Sequence, residues 1–404
     1  MIQNTETQSQ PAVTPVFPID WKSGELLQFL ELQRGVDLPV QNRKSGSVPI
    51  FGSNGTLGFH NASVSEGPGV ITGRSGTIGK VFYSENSYWP LNTSLYVKNF
   101  KGNFPRFIYY KLQAIGLERF ATGTGVPTLN RNVAHKELVA FPPLSEQQKI
   151  ATILTTVDEK LDLIARQIEA TQTLKQGLMQ TLFGRGVGTQ EANGRWVPHT
   201  EFKDSELGEV PVSWEVVHQG VVATFFNGRA YKLTEWEETG TPVIRLQNLT
   251  GSGDKYYYST LNLPEHQYAN NGDLLYMWSA SFGPYIWQGE KAIYHYHIWK
   301  VECGEHLDKL FMYYSLVWLT TAMKSKTHGS TMMHLTKAGM EKYPMVLPPL
   351  AEQRQIARIL STVDSKIEVL TSRQTEFMNL KRGLMQKLLT GEWRVRVEAN
   401  ASET

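Results

Sequence analysis

Cysteine is nearly missing from this chain, with one, Cys303, among 404 residues. A lone cysteine closes no intramolecular disulfide, so a stapled secreted fold is excluded and a reducing compartment is expected. Sequons such as Asn92-Thr93-Ser94 are accordingly read as chance. One cysteine and scattered histidines also offer no zinc-ligand spacing. No apolar run approaches the ~20 residues of a membrane span. Met1 to Pro15 is polar and has neither the basic start nor the apolar core of a signal peptide, so the cytoplasm is the expected location and no membrane association is expected. Charge of one sign is lacking too: the formal net charge is +2, and any basic surface must be a local patch. The Asn/Asp-Pro-Pro-Tyr/Phe motif of an amino-methyltransferase is missing, as is a Gly-x-Gly-x-x-Gly dinucleotide loop, and no Ser/His/Asp arrangement stands out. The chain is not equipped for catalysis alone.

What is present is a globular balance, 41% hydrophobic and 19% charged, at a length that suits two or three domains. One stretch occurs twice. Pro142-Pro143-Leu144-Ser145-Glu146-Gln147 opens a run ending in Gly177-Leu178-Met179-Gln180, and Pro348-Pro349-Leu350-Ala351-Glu352-Gln353 opens one ending in Gly383-Leu384-Met385-Gln386. The copies align without a gap at an offset of 206 residues. A repeat this long dictates the architecture.

Each copy predicts a long helix with proline and serine or alanine at its start. Apolar residues fall at Ile150, Leu154, Val157, Leu161, Ile164 and Ile168 in the first, and at Ile356, Leu360, Val363, Ile367 and Leu370 in the second. This 4-3 spacing is the seam of a coiled coil. Thr171, Lys175, Gln374 and Lys381 interrupt the seam in the second half of each helix. An antiparallel pairing sets each weak half against the other helix's stronger half, along a rod of about 58 Å.

Each helix is preceded by a β-rich domain. Phe17-Pro18-Ile19-Asp20-Trp21 is echoed by Val210-Pro211-Val212-Ser213-Trp214 at the shorter offset of 193, so the second domain carries extra residues. Short strands are expected at 48–51, 69–71, 79–83 and 94–97, then at 242–246 and 273–277, with helices near 26–30, 107–117 and 307–323. The expected fold class is α+β, with two β-rich globular domains, two long antiparallel coiled-coil helices and a pseudo-two-fold internal repeat. The expected boundaries are a tail to 16, a domain over 17–143, a helix over 144–184, a polar linker over 185–209, a domain over 210–349, a helix over 350–390 and a tail from 391.

The sharpest loop is Gly73-Arg74-Ser75-Gly76-Thr77-Ile78-Gly79-Lys80. It misses the spacing of a nucleotide P-loop and lacks the hydroxyl after its lysine. A Gly-rich loop suited to a polyanion backbone and a tight hairpin with two solvated cations both remain open. Gly123 to Arg131 and its counterpart Gly329 to Thr336 are either polar contact loops or capping turns. The aromatic runs Lys255-Tyr256-Tyr257-Tyr258 and Tyr294-His295-Tyr296-His297-Ile298-Trp299-Lys300 suit base stacking, or strands with one buried face. Arg43-Lys44 suits a solvated loop. The charges Glu146, Lys149, Asp158, Glu352 and Asp364 flank the seam as exposed groups, either solvated or touching a partner.

The alternation of variable domain and Pro-Pro-Leu-x-Glu-Gln helix, twice over, resembles the specificity subunit of type I restriction-modification enzymes. The ending Gly383 to Gly391, the linker Phe202 to Gly208 and the Gly73-Arg74-x-Gly76-x-x-Gly79 loop are similar to that family's. In the second domain Ser279-Ala280-Ser281-Phe282-Gly283-Pro284 aligns to this loop without Arg or Lys. The resemblance implies two target recognition domains that read the halves of a bipartite, asymmetric site in double-stranded DNA, with the helices as a ruler. It also implies two modification (methyltransferase) subunits and restriction (translocase/endonuclease) subunits as partners, which would carry S-adenosylmethionine, ATP and Mg. This chain would bind no cofactor or metal and perform no catalysis. Expected DNA contacts are Arg74, Lys80, Asn130, Arg131, Arg43 and Lys44 from the first domain, and Arg245, Asn248, Ser281 and Tyr285 from the second. Expected partner contacts are Glu146, Lys149, Asp158, Glu352 and Asp364. The competing class is a coiled-coil adaptor holding two protein partners, which would explain the near-neutral charge.

Overall fold

The computed structural model describes residues 18–123, 127–279, 281–326 and 335–396. The two long helices span Leu144–Arg185 and Leu350–Thr390. The chain divides into two compact units whose borders fall inside these helices. Unit 1 takes the chain up to Arg166 and the stretch from Thr371 onward; unit 2 is Gln167–Leu370. Each unit therefore owns the first half of one long helix and the second half of the other.

In unit 1 an antiparallel sheet runs Glu31–Arg34, Ser94–Asn99, Gly69–Gly73, Val81–Ser84 in spatial order. A three-stranded sheet adds Gly55–His60, Val48–Gly52 and Trp89–Pro90, the last two parallel. Unit 2 repeats the first sheet as Ala223–Asn227, Ile298–Cys303, Leu274–Met277, Gly283–Ile286. Its second sheet has four strands, Tyr257–Ser259, Thr241–Ile244, Ala292–Tyr294 and Tyr268–Ala269, again with one parallel pair. The strand Tyr268–Ala269 is part of the length that the shifted offset announced. The expected strand at 242–246 stops at Ile244, because Arg245 begins the short helix Leu246–Thr250 and Asn248 Oδ1 accepts its N–H at 2.9 Å. The expected linker is also more structured than its polarity suggested: Thr189–Gln190 pairs with Trp196–Val197, and Phe202–Lys203 with Val210–Pro211.

A closing strand pair brings the start and end of each domain together at the Pro-Pro: Lys22–Glu25 with Leu138–Phe141, and Glu215–His218 with Pro344–Leu347. The glutamine of the repeat then clamps the helix of its own domain. Gln147 Oε1 accepts the N–H of Phe104, just before helix Pro105–Ile115, and Gln353 Oε1 accepts that of Asp308, just before helix Lys309–Lys326. Their amides donate to the carbonyls of Pro142 at 2.9 Å and Pro348 at 2.8 Å.

The helix halves run antiparallel within each unit and share its core. Ile150, Ala151 and Leu154 join Leu388 and Leu389 in unit 1; Met179, Leu182 and Phe183 join Ile356, Ala357 and Leu360 in unit 2. Burying each large side chain of this kind contributes about 1.5–3 kcal/mol. Both seam lysines end on a carboxylate: Lys381 pairs with Asp158 at 2.7 Å and Lys175 with Asp364 at 2.5 Å. Each aspartate also accepts a domain tyrosine, Tyr110 at 2.8 Å and Tyr314 at 2.9 Å. The buried Thr171 returns its hydroxyl to the carbonyl of Gln167.

Four of the five charges expected on open helix faces are committed inside the chain. Glu146 and Glu352 are only 3% and 2% exposed. Glu146 holds the guanidinium of Arg394 at 2.9 and 2.8 Å, and Asp20 holds its other side. Glu352 accepts the N–H groups of Val187 at 2.8 Å and Gly188 at 2.9 Å, just past the end of the first helix, together with Trp214 Nε1 at 2.8 Å; His199 Nε2 lies 3.0 Å away. Asp158 and Asp364 serve the lysine and tyrosine above. Lys149 alone of the five is exposed. The heptad pattern failed to show this because the groups that bury these carboxylates come from remote stretches of the chain.

Glu352→Ala orphans two backbone donors and an indole N–H in a buried site, so we expect a loss of about 2–4 kcal/mol. Urea unfolding followed by tryptophan fluorescence checks this; Glu352→Gln should recover part of the loss, and an unchanged midpoint would show the cluster to be energetically idle.

Candidate nucleic-acid interface

In unit 1 the Gly-rich loop joins Gly69–Gly73 to Val81–Ser84. Gly76 and Gly79 have φ of +84° and +88°, in the left-handed region that glycine tolerates. A Cβ on Gly73 would stand 1.8 Å from the carbonyl oxygen of Thr77, so the close turn requires glycine there. Arg74 donates its backbone N–H to the carbonyl of Thr93 at 2.9 Å and its Nη1 to that of Asn92 at 3.3 Å. Lys80 Nζ reaches Asn54 Oδ1 at 2.9 Å.

The loop does not stand alone. Leu129 donates its N–H to the carbonyl of Arg74 at 2.7 Å, and Ser75 bridges Thr128. Asn130 follows at once, its Oδ1 accepting the N–H of Asn132 to start the short helix Arg131–His135. The two loops singled out separately are thus one surface, with Lys80, Asn130 and Arg131 exposed and Arg74 half-buried. Of the first loop's polar stretch, 124–126 lies outside the described residues. Arg43 donates its Nε to the carbonyl of Leu38 at 3.4 Å, and Lys44 donates its backbone N–H to His60 Nδ1 at 3.0 Å.

In unit 2 the same frame carries different chemistry. Gly228 and Arg229 contact the carbonyls of Ile298 and Tyr294 as Gly35 and Val36 contact those of Ser94 and Pro90. The parallel bridges Val36 to Leu91 and Arg229 to His295 correspond. On that frame Trp278 stands where Arg74 stands: its backbone N–H meets the carbonyl of His297 at 3.2 Å, and its Nε1 meets that of Tyr296 at 2.8 Å. Around it runs a band of rings. Trp278 contacts Tyr296 and His297 at centroid separations of 6.2 and 5.4 Å, His295 contacts Tyr296 at 4.5 Å, and Trp236 stacks on Tyr231 at 4.7 Å and His295 at 6.0 Å. Arg245 lies over Trp236 and Tyr257, and Arg229 over Tyr231 while ion-paired to Glu235.

Of the residues expected to touch DNA in unit 2, Arg245 joins this band. Asn248 spends its side chain on backbone, accepting from Arg245 and donating to the carbonyl of Lys255 at 3.1 Å. Ser281 sits in the turn after Trp278, and Tyr285 lies half-buried in strand Gly283–Ile286, against the core that holds Leu275. The counterpart loop at 329–334 lies outside the described residues. Trp278 and Trp236 were not singled out from sequence; the available signal was that Trp278 follows strand 274–277 as Arg74 follows 69–73. Among the described residues no cluster of His, Cys, Asp or Glu suits a metal ion.

The protein-family model for the type I restriction modification DNA specificity domain matches residues 18–172 and again 211–377. The chain belongs to that family. It is 28% identical over 310 residues to the type I restriction enzyme MjaVIII specificity subunit of Methanocaldococcus jannaschii, covering 72% of this chain and 70% of the relative. It is 30% identical over 263 residues to the putative MjaX specificity subunit of the same organism, covering 64% and 60%. The crystal structure of a type I restriction-modification S subunit from M. genitalium shares the fold, with a TM-score of 0.62 over 93% of this chain and 99% of that one at 16% identity. The α+β fold and the double repeat expected of this specificity-subunit chain are both borne out.

Burial, followed by the charges of His297 and Arg245, pushes the His295 imidazole down to about 4. The unfolded chain, near the ordinary 6.5, then binds more protons between these values, so this group's contribution is complete above about 6.5 and is lost as pH falls toward 4. Thermal melts of the intact chain and of His295→Gln should therefore differ most at pH 7 and converge toward pH 4.5. A constant gap would contradict a buried neutral imidazole.

Proposed function

We propose that this chain is the DNA-reading subunit of a type I restriction-modification complex and contributes recognition without catalysis. One observation carries the reading: the two units repeat the same four-stranded sheet strand for strand, yet hold an arginine loop in one and an aromatic band in the other at the same place on it. An asymmetric bipartite site in duplex DNA calls for two such non-identical readers, with half-sites about one helical turn (~34 Å) apart. The long helices serve as the spacer, so their length sets the gap.

The chemistry belongs to partners. Two methyltransferase subunits, with S-adenosylmethionine, would modify adenine at the site, and restriction subunits would add ATP- and Mg-dependent translocation and cleavage, all in the cytoplasm. No helix among the described residues is long and apolar enough to cross a membrane. Lys149, exposed on the first helix, remains a candidate partner contact. In unit 1 the joined loops present Arg74, Lys80 and Arg131, and arginine and lysine are the side chains suited to phosphates and to guanine O6/N7.

Co-expression with a candidate methyltransferase subunit should yield a stable complex and adenine methylation at one bipartite sequence. In that complex Arg74→Ala should weaken specific binding about 10- to 100-fold at fixed salt. An absence of complex together with an unmodified genome would sink the assignment, and undiminished affinity of Arg74→Ala would remove the loop from the interface.

A further inference from the structure

Unit 2 has an aromatic side chain at the one position where unit 1 directs an arginine. The correspondence is set by backbone, independently of side-chain likeness. Arg74 and Trp278 each follow the strand third in the spatial order of the repeated sheet, each donate a backbone N–H to the third carbonyl of an equivalent turn, and each donate a side-chain N–H to the second carbonyl of that turn. The turn itself also changes chemistry, from Leu91-Asn92-Thr93 to His295-Tyr296-His297. Tyr296 projects from it with 39% of its surface exposed, and Trp278 is half-buried beside it. Exposed rings in contact with half-buried ones present an apolar face that water leaves at a gain.

We propose that Trp278 and Tyr296 are the specificity-determining residues of unit 2 and read their half-site by apolar contact with base edges. This rests on the DNA-reading function proposed above. The apolar feature of a base-pair edge in the major groove is the thymine methyl, so the positions they read are A·T pairs. Phosphate attraction is secondary at this spot: the histidines of the turn are held neutral by burial and by Arg245, and Arg229 is already paired with Glu235. Arg245, over Trp236 and Tyr257, and Lys255, over Tyr257, are cations that flank the band.

The test uses the full chain in complex with its methyltransferase subunit, comparing Arg74→Ala, Trp278→Ala and Tyr296→Ala. Methylated sequences are mapped, and affinity for the intact site is measured across salt concentrations. Trp278→Ala and Tyr296→Ala should relax A·T positions in one half-site, leave the half affected by Arg74→Ala unchanged, and weaken binding about 10- to 100-fold without altering the salt dependence. Arg74→Ala should instead flatten the salt slope by about one. Trp278→Ala removes a hydrogen bond within the turn; should that variant fail to assemble, Tyr296→Ala, which keeps the accepting carbonyl, decides alone. Unchanged sequences and affinity in an otherwise active complex overturn the proposal, as does relaxation confined to G·C pairs or a lost salt slope. A wild-type complex that methylates nothing overturns the DNA-reading function itself.

Discussion

A carboxylate removed from water must be met by donors, and the repeated Glu-Gln pair imposes that demand at the start of both long helices. Glu352 meets it with the backbone just past Gly186, with the indole of Trp214 and with His199. One side chain thereby ties the end of one helix to the start of another and to the first residues of a domain. Glu146 meets the same demand with the guanidinium of Arg394, shared with Asp20, and the N–H of Val395 at 3.4 Å. The two solutions differ because Val187-Gly188 follows one helix stop and Glu392-Trp393-Arg394 follows the other. Each helix stop also needs its glycine: Gly186 and Gly391 have φ of +71° and +79°, and a Cβ would strike Glu352 and Trp214 at the first and Pro18 at the second.

Given those ends, the seam has little freedom of register. Lys381 with Asp158 and Tyr110, and Lys175 with Asp364 and Tyr314, form the same three-residue cluster in both units. These pairs are half-buried, so desolvation takes back part of their attraction. Leaving one member unpaired is costly, so a slip of the helices is penalised even though the aligned pair gains little. The interruptions of the apolar stripe are therefore where alignment is specified, while Leu154, Leu360 and their neighbours supply the burial.

How much of this could be read beforehand divides along a physical line. Periodicity and spacing are local, so the two helices, their antiparallel halves, the short helix at Leu26–Phe29 and the strands around Gly69–Gly73 were legible. Partnership across the chain is not local. Glu146 and Glu352 looked like solvated charges because nothing nearby in sequence shows Arg394 or Trp214 arriving. The loop at Arg74 was visible through its glycines, whose positive φ leaves a compositional mark, but its union with Leu129 to Arg131 was not. Trp278 carries no such mark: it stacks on the core residue Trp299 at 5.8 Å, and only the hydrogen bonds to the carbonyls of Tyr296 and His297 place it on Arg74's spot.

That substitution also bears on the net charge of +2. A reader that gains affinity mainly from phosphates needs excess cations, and its affinity falls steeply with salt. A reader that gains from desolvated rings needs few. Arg229, Lys300 and Lys291 in unit 2 are each paired with acidic groups, so those cations add little field beyond their own sites. One unit working chiefly by charge and one chiefly by apolar contact reconciles a nearly neutral chain with DNA recognition, and makes the two halves of its site unequal in how they respond to ionic strength.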